Sequence, residues 1–333
     1  MHTAMKASLD YFTTHFSPFQ FRQLRILEFP GYADFAQSFA NTIPYSEGIG
    51  FIANFKDPEK IDMVTYITAH EVAHQWWAHQ VIGGEMQGST FLSETLAQYS
   101  ALMVMERMYG PDQIRKFLKY ELDRYLRSRG GAVIEELPLE RVEGQPYIHY
   151  QKGSLAMYLL KDIVGEDAVN RALRGFLAEF AFKGPPYPTS RDLLRHIRAE
   201  AGPQHDALVT DLFQKIALYD ARVTSAKAAR RADGRWDVTI EVEARKLYAD
   251  GEGRETEAPL AEPFDIGVFT AEPGKLDFTR ESVLWLRKQP VRSGRQVVTV
   301  IVPREPKYAG VDPYNKRIDR NSDDNLSRVD VET

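Results

Sequence analysis

The stretch that most constrains this chain is Ile67–Leu102, ITAHEVAHQWWAHQVIGGEMQGSTFLSETLAQYSAL. Its HEVAH segment supplies His70, Glu71 and His74. On an α-helix His70 and His74 stand one turn apart on one face, so two imidazoles can grip one ion. Glu71 lies just off that face, too far round to be a ligand but well placed to take a proton from a water on the metal. Ile61, Val64, Ile67 and Thr68 recur at helical spacing, and Val72, Trp76 and Trp77 continue an apolar face. The pattern predicts a helix that runs on to Gly83-Gly84. A second helix is expected from Ser89 or Thr90, with Glu94 in its first turns. Two antiparallel helices joined by a short glycine loop bring Glu94 back to the histidines. Three protein ligands with an open fourth position is what a catalytic zinc needs. A closed structural zinc site does not fit, because the chain has no Cys. His79 is out of step with the three-histidine form of the motif and reads as a polar helix-end residue.

HEVAHQWW followed by LSETLAQY resembles the M1 metallopeptidases, the gluzincin group of aminopeptidase N and leukotriene A4 hydrolase. That family's pattern is HExxH, eighteen residues, then a Glu in a phrase like NEGFAxY. Here nineteen residues separate His74 from Glu94, which equals the thermolysin spacing. The resemblance implies one zinc ion held by His70, His74 and Glu94, Glu71 as general base, and a peptide substrate. It also implies an amine anchor. M1 aminopeptidases carry a GxMEN motif whose Glu binds the substrate's free amino terminus, and in YSEG that position is Glu47, 23 residues before His70, with Gly48 beside it. A carboxylate at fixed distance from the metal pairs with an ammonium group and sets which bond is cut. A third motif, a Tyr just before a Lys-Gly helix start, is matched by YQKG, making Tyr150 the donor to the developing oxyanion, with Tyr147 and His149 as rivals.

The rest of the chain fits an α+β protein. The resemblance implies a thermolysin-like, mainly helical zincin domain with a short N-terminal sheet, followed by a small β-sandwich. Residues 4–16 read as a helix, Leu24–Pro30 as a strand, and the second half of Thr42–Ala53 as another. Pro111 starts a helix, and a loop from Ser128 to about Tyr147 carries Glu135 and Glu136, read as solvated charge. Residues 155–182 and 189–219 read as amphipathic helices, the second with Ser190 as its N-cap and Arg191, Arg195 and Arg198 on a wet face. Near Ala221 the periodicity changes to alternation, with turns at Ala232-Asp233-Gly234 and Ser293-Gly294. The expected divisions are a catalytic domain at 1–221, a β-sandwich at 222–305 and a polar, partly disordered tail at 306–333. The tail phrase YNKRIDRNSDDN also resembles the end of M1-type modules fused to bacterial permeases, which implies tethering to a membrane segment in a longer protein.

Bulk properties narrow the alternatives. A net charge of −5 and the lack of a basic run argue against a nucleic-acid partner. No stretch approaches the roughly 18 apolar residues of a membrane span. The start, MHTAMKASLDYFTTHF, lacks the apolar core of a signal peptide, and the compartment is left open. The leading expectation is a zinc aminopeptidase. A thermolysin-like endopeptidase and a non-catalytic binding or sensor module tied to a transporter are the alternatives.

Overall fold

The computed structural model describes residues 1–54, 57 and 60–332. They form two compact units, one of residues 1–108 and 137–215, the other of residues 109–136 and 216 onward.

The first unit begins with α1 (His2–His15). Phe12 meets Trp76 edge-on at 5.4 Å and Phe16 meets Trp77 at 5.1 Å between ring centroids. β1 (Arg25–Phe29) and β2 (Thr42–Ser46) then pair in parallel, from Arg25 opposite Thr42 to Phe29 opposite Ser46. The second strand therefore uses the first half of the Thr42–Ala53 segment, not the expected second half. After Ser46 the chain turns, and the Phe51 and Ile52 amides both donate to the Glu47 carbonyl.

α2 (Met63–Ala73) is capped by Asp62, whose Oδ1 accepts the Thr65 amide at 3.0 Å. Nearly every residue of α2 is buried, which explains its lack of an apolar stripe. It ends at His74, well short of Gly83. The periodicity beyond that point is overridden by bonds to distant backbone. Gln75 Nε2 donates to the Ser38 hydroxyl and the Phe39 carbonyl, and Trp76 Nε1 donates to the Ser17 carbonyl. These contacts pull the chain out of the helical path, and Ala78 takes a φ of 151°.

A π-helical turn, Phe91–Thr95, opens α3 (Leu96–Tyr109). α4 (Ile114–Gly131) belongs to the second unit. Another π-helical turn, Tyr147–Lys152, opens α5 (Gly153–Val164), and α6 (Glu166–Phe180), α7 (Ser190–Ala201) and α8 (Asp206–Val209) follow. Gly165, at φ +94°, splits the helix expected over 155–182. Thr189, one residue before Ser190, caps α7 in a capping box with Asp192. Arg191, Arg195 and Arg198 pair at the surface with Glu140, Glu179 and Asp206.

The second unit is mainly β. β3 (Ile216–Arg230) and β4 (Trp236–Ala249) form a long antiparallel pair. β5 (Glu255–Ala258), β6 (Ala261–Phe269), β7 (Val283–Arg292) and β8 (Gly294–Val302) follow, then β9 (Tyr308–Val311), β10 (Leu326–Arg328) and β11 (Asp330–Glu332). One sheet runs β10-β9-β6-β7. The other runs β11-β3-β4-β5, with β8 also paired to β4. Inward residues of both, such as Val238, Ile240, Ile266 and Val268, share one apolar core.

Three expectations differ from this unit. The strands begin at Ile216 rather than near 222. Glu136 is buried, not solvated: it accepts from Tyr125 Oη at 2.6 Å and Arg129 Nε at 2.7 Å. The segment from 306 supplies three strands instead of trailing as a tail, although Thr333 lies outside the described residues. Its polar phrase is internal. Arg317, fully buried, donates to Glu262 Oε2 and the Pro263 carbonyl, both at 2.7 Å, and lies 3.9 Å from the Phe264 ring centroid. Asp319 Oδ2 accepts the Ala221 amide, and Asn325 donates to the Ala221 carbonyl. A charge answered by a specific partner can be buried, and these are. Among the described residues, no helix is long and apolar enough to cross a membrane.

Candidate metal centre

The site is built on the C-terminal end of α2 and the two π-helical turns. His70 and His74 present their Nε2 atoms 3.0 Å apart. Glu94, in the first of the π turns, places Oε2 3.3 Å from both. Among the described residues this is the one group whose ligand-type atoms converge this way. His79 is not part of it; its Nε2 lies 3.2 Å from the Ser38 carbonyl.

The chemistry of this donor set suits a divalent cation. Two ring nitrogens at 3.0 Å can share only one proton, and the carboxylate beside them calls for positive charge. Burial opposes a charged His74, but the hydrogen bond and charge of Glu94 win and push its pKa up to about 9. Burial works against the Glu94 carboxylate too, and its bonds to His70 and His74 hold it far below the usual range. The same attraction would be met by a metal ion. The His74 ring is oriented for this: Nδ1 lies 2.9 Å from the Trp77 carbonyl oxygen. A carbonyl only accepts, so Nδ1 carries a proton, and in the neutral ring Nε2 is the nitrogen left with a lone pair. The His70 Nδ1 is buried and has no hydrogen-bond partner among the described residues.

These groups line a cavity of about 770 Å³. Glu71 is in its wall, nine-tenths buried, and burial raises its pKa against the opposing pull of His70 and His74. Tyr150 is there as well, its ring 5.6 Å from that of His70. Burial, with the charge and hydrogen bond of Glu94, keeps its phenol protonated. Of its two rivals, Tyr147 accepts a 3.4 Å bond from Gln145, and His149 is buried edge-on against the Tyr150 ring. Neither lines the cavity.

Glu47 and Gly48 are not brought into the cavity wall. Glu47 Oε1 accepts the Gly31 amide at 2.7 Å. Gly48 is crowded instead by Asp34, whose Oδ1 would lie 2.8 Å from an added Cβ. The wall on that side is the segment Phe35–Ser38, held by Gln75 and His79. Sequence reading missed this segment, whose Gln and Ser carry no motif. It also missed Glu85, a third carboxylate lining the cavity. Its only signal was its place in the link between the two ligand helices.

Comparison with known proteins agrees with this architecture. The model of the peptidase family M1 domain matches residues 2–215. Human endoplasmic reticulum aminopeptidase 2 is 26% identical over 194 residues, covering 55% of this chain and 20% of that protein. Tricorn protease-interacting factor F2 of Thermoplasma volcanium is 22% identical over 292 residues, covering 84% of this chain and 34% of that protein. Both relatives are therefore much longer than this chain. In fold, a crystal structure of Legionella pneumophila aminopeptidase A in complex with aspartic acid is similar at a TM-score of 0.56 and 14% identity, over 99% of this chain and 34% of that one. With the family's domain matched across most of its length, this chain belongs to peptidase family M1.

Proposed function

We propose that the chain hydrolyses peptide bonds as a zinc-dependent peptidase, removing residues from a free amino terminus. The observation that carries this reading is the convergence of His70, His74 and Glu94 in the wall of a cavity that Glu71 and Tyr150 also line. Two imidazoles and a carboxylate are a donor set of catalytic zinc sites that leave one position open. When bound, the ion supplies Lewis acidity, polarising a carbonyl and making water a stronger acid.

The chain's own groups do the rest. The Glu71 carboxylate, whose burial strengthens it as a base, accepts the proton of the attacking water and returns one to the departing amine. The Tyr150 hydroxyl, kept protonated by its surroundings, donates to the carbonyl oxygen as it gains negative charge. The aminopeptidase part of the reading draws on the names of the relatives and on the place of Glu47 and Gly48 in their motif, with Glu47, one of whose oxygens accepts the Gly31 amide, as the group that would pair with the free amino terminus.

Elemental analysis of the purified protein, followed by hydrolysis of aminoacyl reporter substrates, tests the proposal. One equivalent of zinc with turnover is the expected result. Zinc without turnover leaves a binding module. One observation favours a second reading: the nineteen residues between His74 and Glu94 match the thermolysin spacing. Fast internal cleavage of an acetylated peptide would replace the exopeptidase with an endopeptidase.

A further inference from the structure

The second unit leaves a long strand edge open. β8 pairs with β4 along its whole length, from Gly294 opposite Ala244 to Val302 opposite Trp236, and with no other strand among the described residues. In an antiparallel pair every second residue points its N–H and C=O away from the partner. A row of backbone groups along this nine-residue strand therefore faces outward. No loop backbone bonds to that row among the described residues.

Proteins blunt such edges with proline, bulges, charge or short length. The edge strand of the other sheet, β7, shows these devices: Pro290, an extra residue at Leu284, and the exposed Arg287 and Lys288. β8 has none of them after Arg295. Its register with β4 has no shift, and residues 297–302, VVTVIV, are all β-branched, with no charge, proline or glycine. Val298, Val300 and Val302 turn inward and join the core. The outward members are open, Val297 at 62% exposure and Ile301 at 43%.

This apolar edge is set in positive charge. Residues 283–304 hold five Lys and Arg and no Asp or Glu, in a chain of net charge −5. Arg287 and Arg292 meet no acidic partner among the described residues. Exposed Arg295 has a loose one, Glu243 at 3.6 Å.

What completes such an edge is another strand, whose main chain gives affinity and whose alternate side chains give choice. A second copy fits poorly. Antiparallel pairing of β8 with itself about Val298 sets Arg292 opposite Arg304 of the second copy, and like charges across a ladder are destabilising. We propose that β8 is a docking edge for an extended acidic segment of another protein. That segment adds to the sheet as a further strand, with apolar residues on Val297 and Ile301 and carboxylates toward Arg292 and Arg295.

The probe is a peptide of alternating Glu and Val, about six residues long as an ordinary strand is, blocked at both ends and carrying a fluorophore. Anisotropy measures its binding to the whole chain. Replacing Glu by Lys is expected to weaken binding by about tenfold, which two exposed ion pairs can supply. N-methylation of every amide should abolish binding, because the main chain then has no donors for the edge. R292E/R295E should reverse the preference and take the Lys peptide over the Glu peptide. No binding of either charged peptide, binding that survives N-methylation, or an unchanged preference in R292E/R295E overturns the proposal. So does a wild-type dimer in light scattering that V297K converts to a monomer, since a second copy would then hold the edge.

Discussion

Thr95 Oγ1 donates to the carbonyl oxygen of His149 across 2.5 Å. The bond ties the residue after Glu94 to the residue before Tyr150, and so locks the two π-helical turns together. Gly153 makes this approach possible. A Cβ there would lie 2.5 Å from Thr95 Oγ1 and 2.6 Å from its methyl. G153A is expected to destabilise the fold by about 1–3 kcal/mol through overpacking and to lower kcat more than it raises KM. Denaturant unfolding with steady-state kinetics checks both. A variant with unchanged kcat would show that the spacing of the two turns does not matter to turnover.

Changing the base should separate binding of the ion from its use. E71Q keeps the shape of the side chain and all three metal ligands. It should bind zinc stoichiometrically by elemental analysis while kcat falls by about 10²–10⁴-fold, the range for loss of a general base. E94A should instead lose the ion. Normal turnover by E71Q would mean that some other group accepts the proton.

Y150F removes one hydroxyl and no packing volume of consequence. It is expected to lower kcat by about 10²–10³-fold, as loss of one oxyanion donor does, with KM little changed. A rise in KM at constant kcat would recast Tyr150 as a substrate-holding residue.

His149 sets an acid limit on stability. Burial lowers its pKa from 6.5 to about 4, because a charged ring is costly there. The folded value lies below the unfolded one, so the contribution of the neutral ring is fully present above pH 6.5 and is lost as pH falls toward 4. Urea midpoints between pH 7 and pH 4 should show wild type losing up to about 3 kcal/mol more than H149F. Parallel curves for the two proteins would mean that the ring escapes burial when it charges.

The C-terminal segment should be indispensable to the second unit. R317A leaves the partly buried Glu262 with only Lys246 and the Tyr219 hydroxyl beside it, and opens the fully buried place of the guanidinium. The expected cost is about 3–5 kcal/mol, typical of breaking a buried ion pair from one side. R317M, which keeps the stem against Phe264, should cost less. If both variants unfold at the wild-type midpoint, the segment is ornamental to that unit.

The parts legible in the sequence were those whose chemistry and periodicity are local. His70 and His74 lie on one helical face whatever surrounds them, and β3 and β4 alternate along their whole length. Glu94 was also found, since a carboxylate on the next helix has few other places to go. The misreadings share a cause. Arg317, Asp319 and Glu136 look like solvent-facing charge in a string of letters, and only their partners, distant in sequence, make them internal. Gln75 and Trp76 continue a helical pattern, yet bonds to residues 17, 38 and 39 decide their path.

The early end of α2 has a chemical outcome. In a helix continued to Gly83, the Trp77 carbonyl would serve the ladder, accepting from an amide four residues ahead. Because the chain leaves the helix at His74, that oxygen turns back to the imidazole three residues behind it. Which ring nitrogen of His74 stays bare is thus settled by where a piece of backbone stops coiling. A substitution that lengthened the helix would free the other nitrogen of His74 to take the proton without touching the ring.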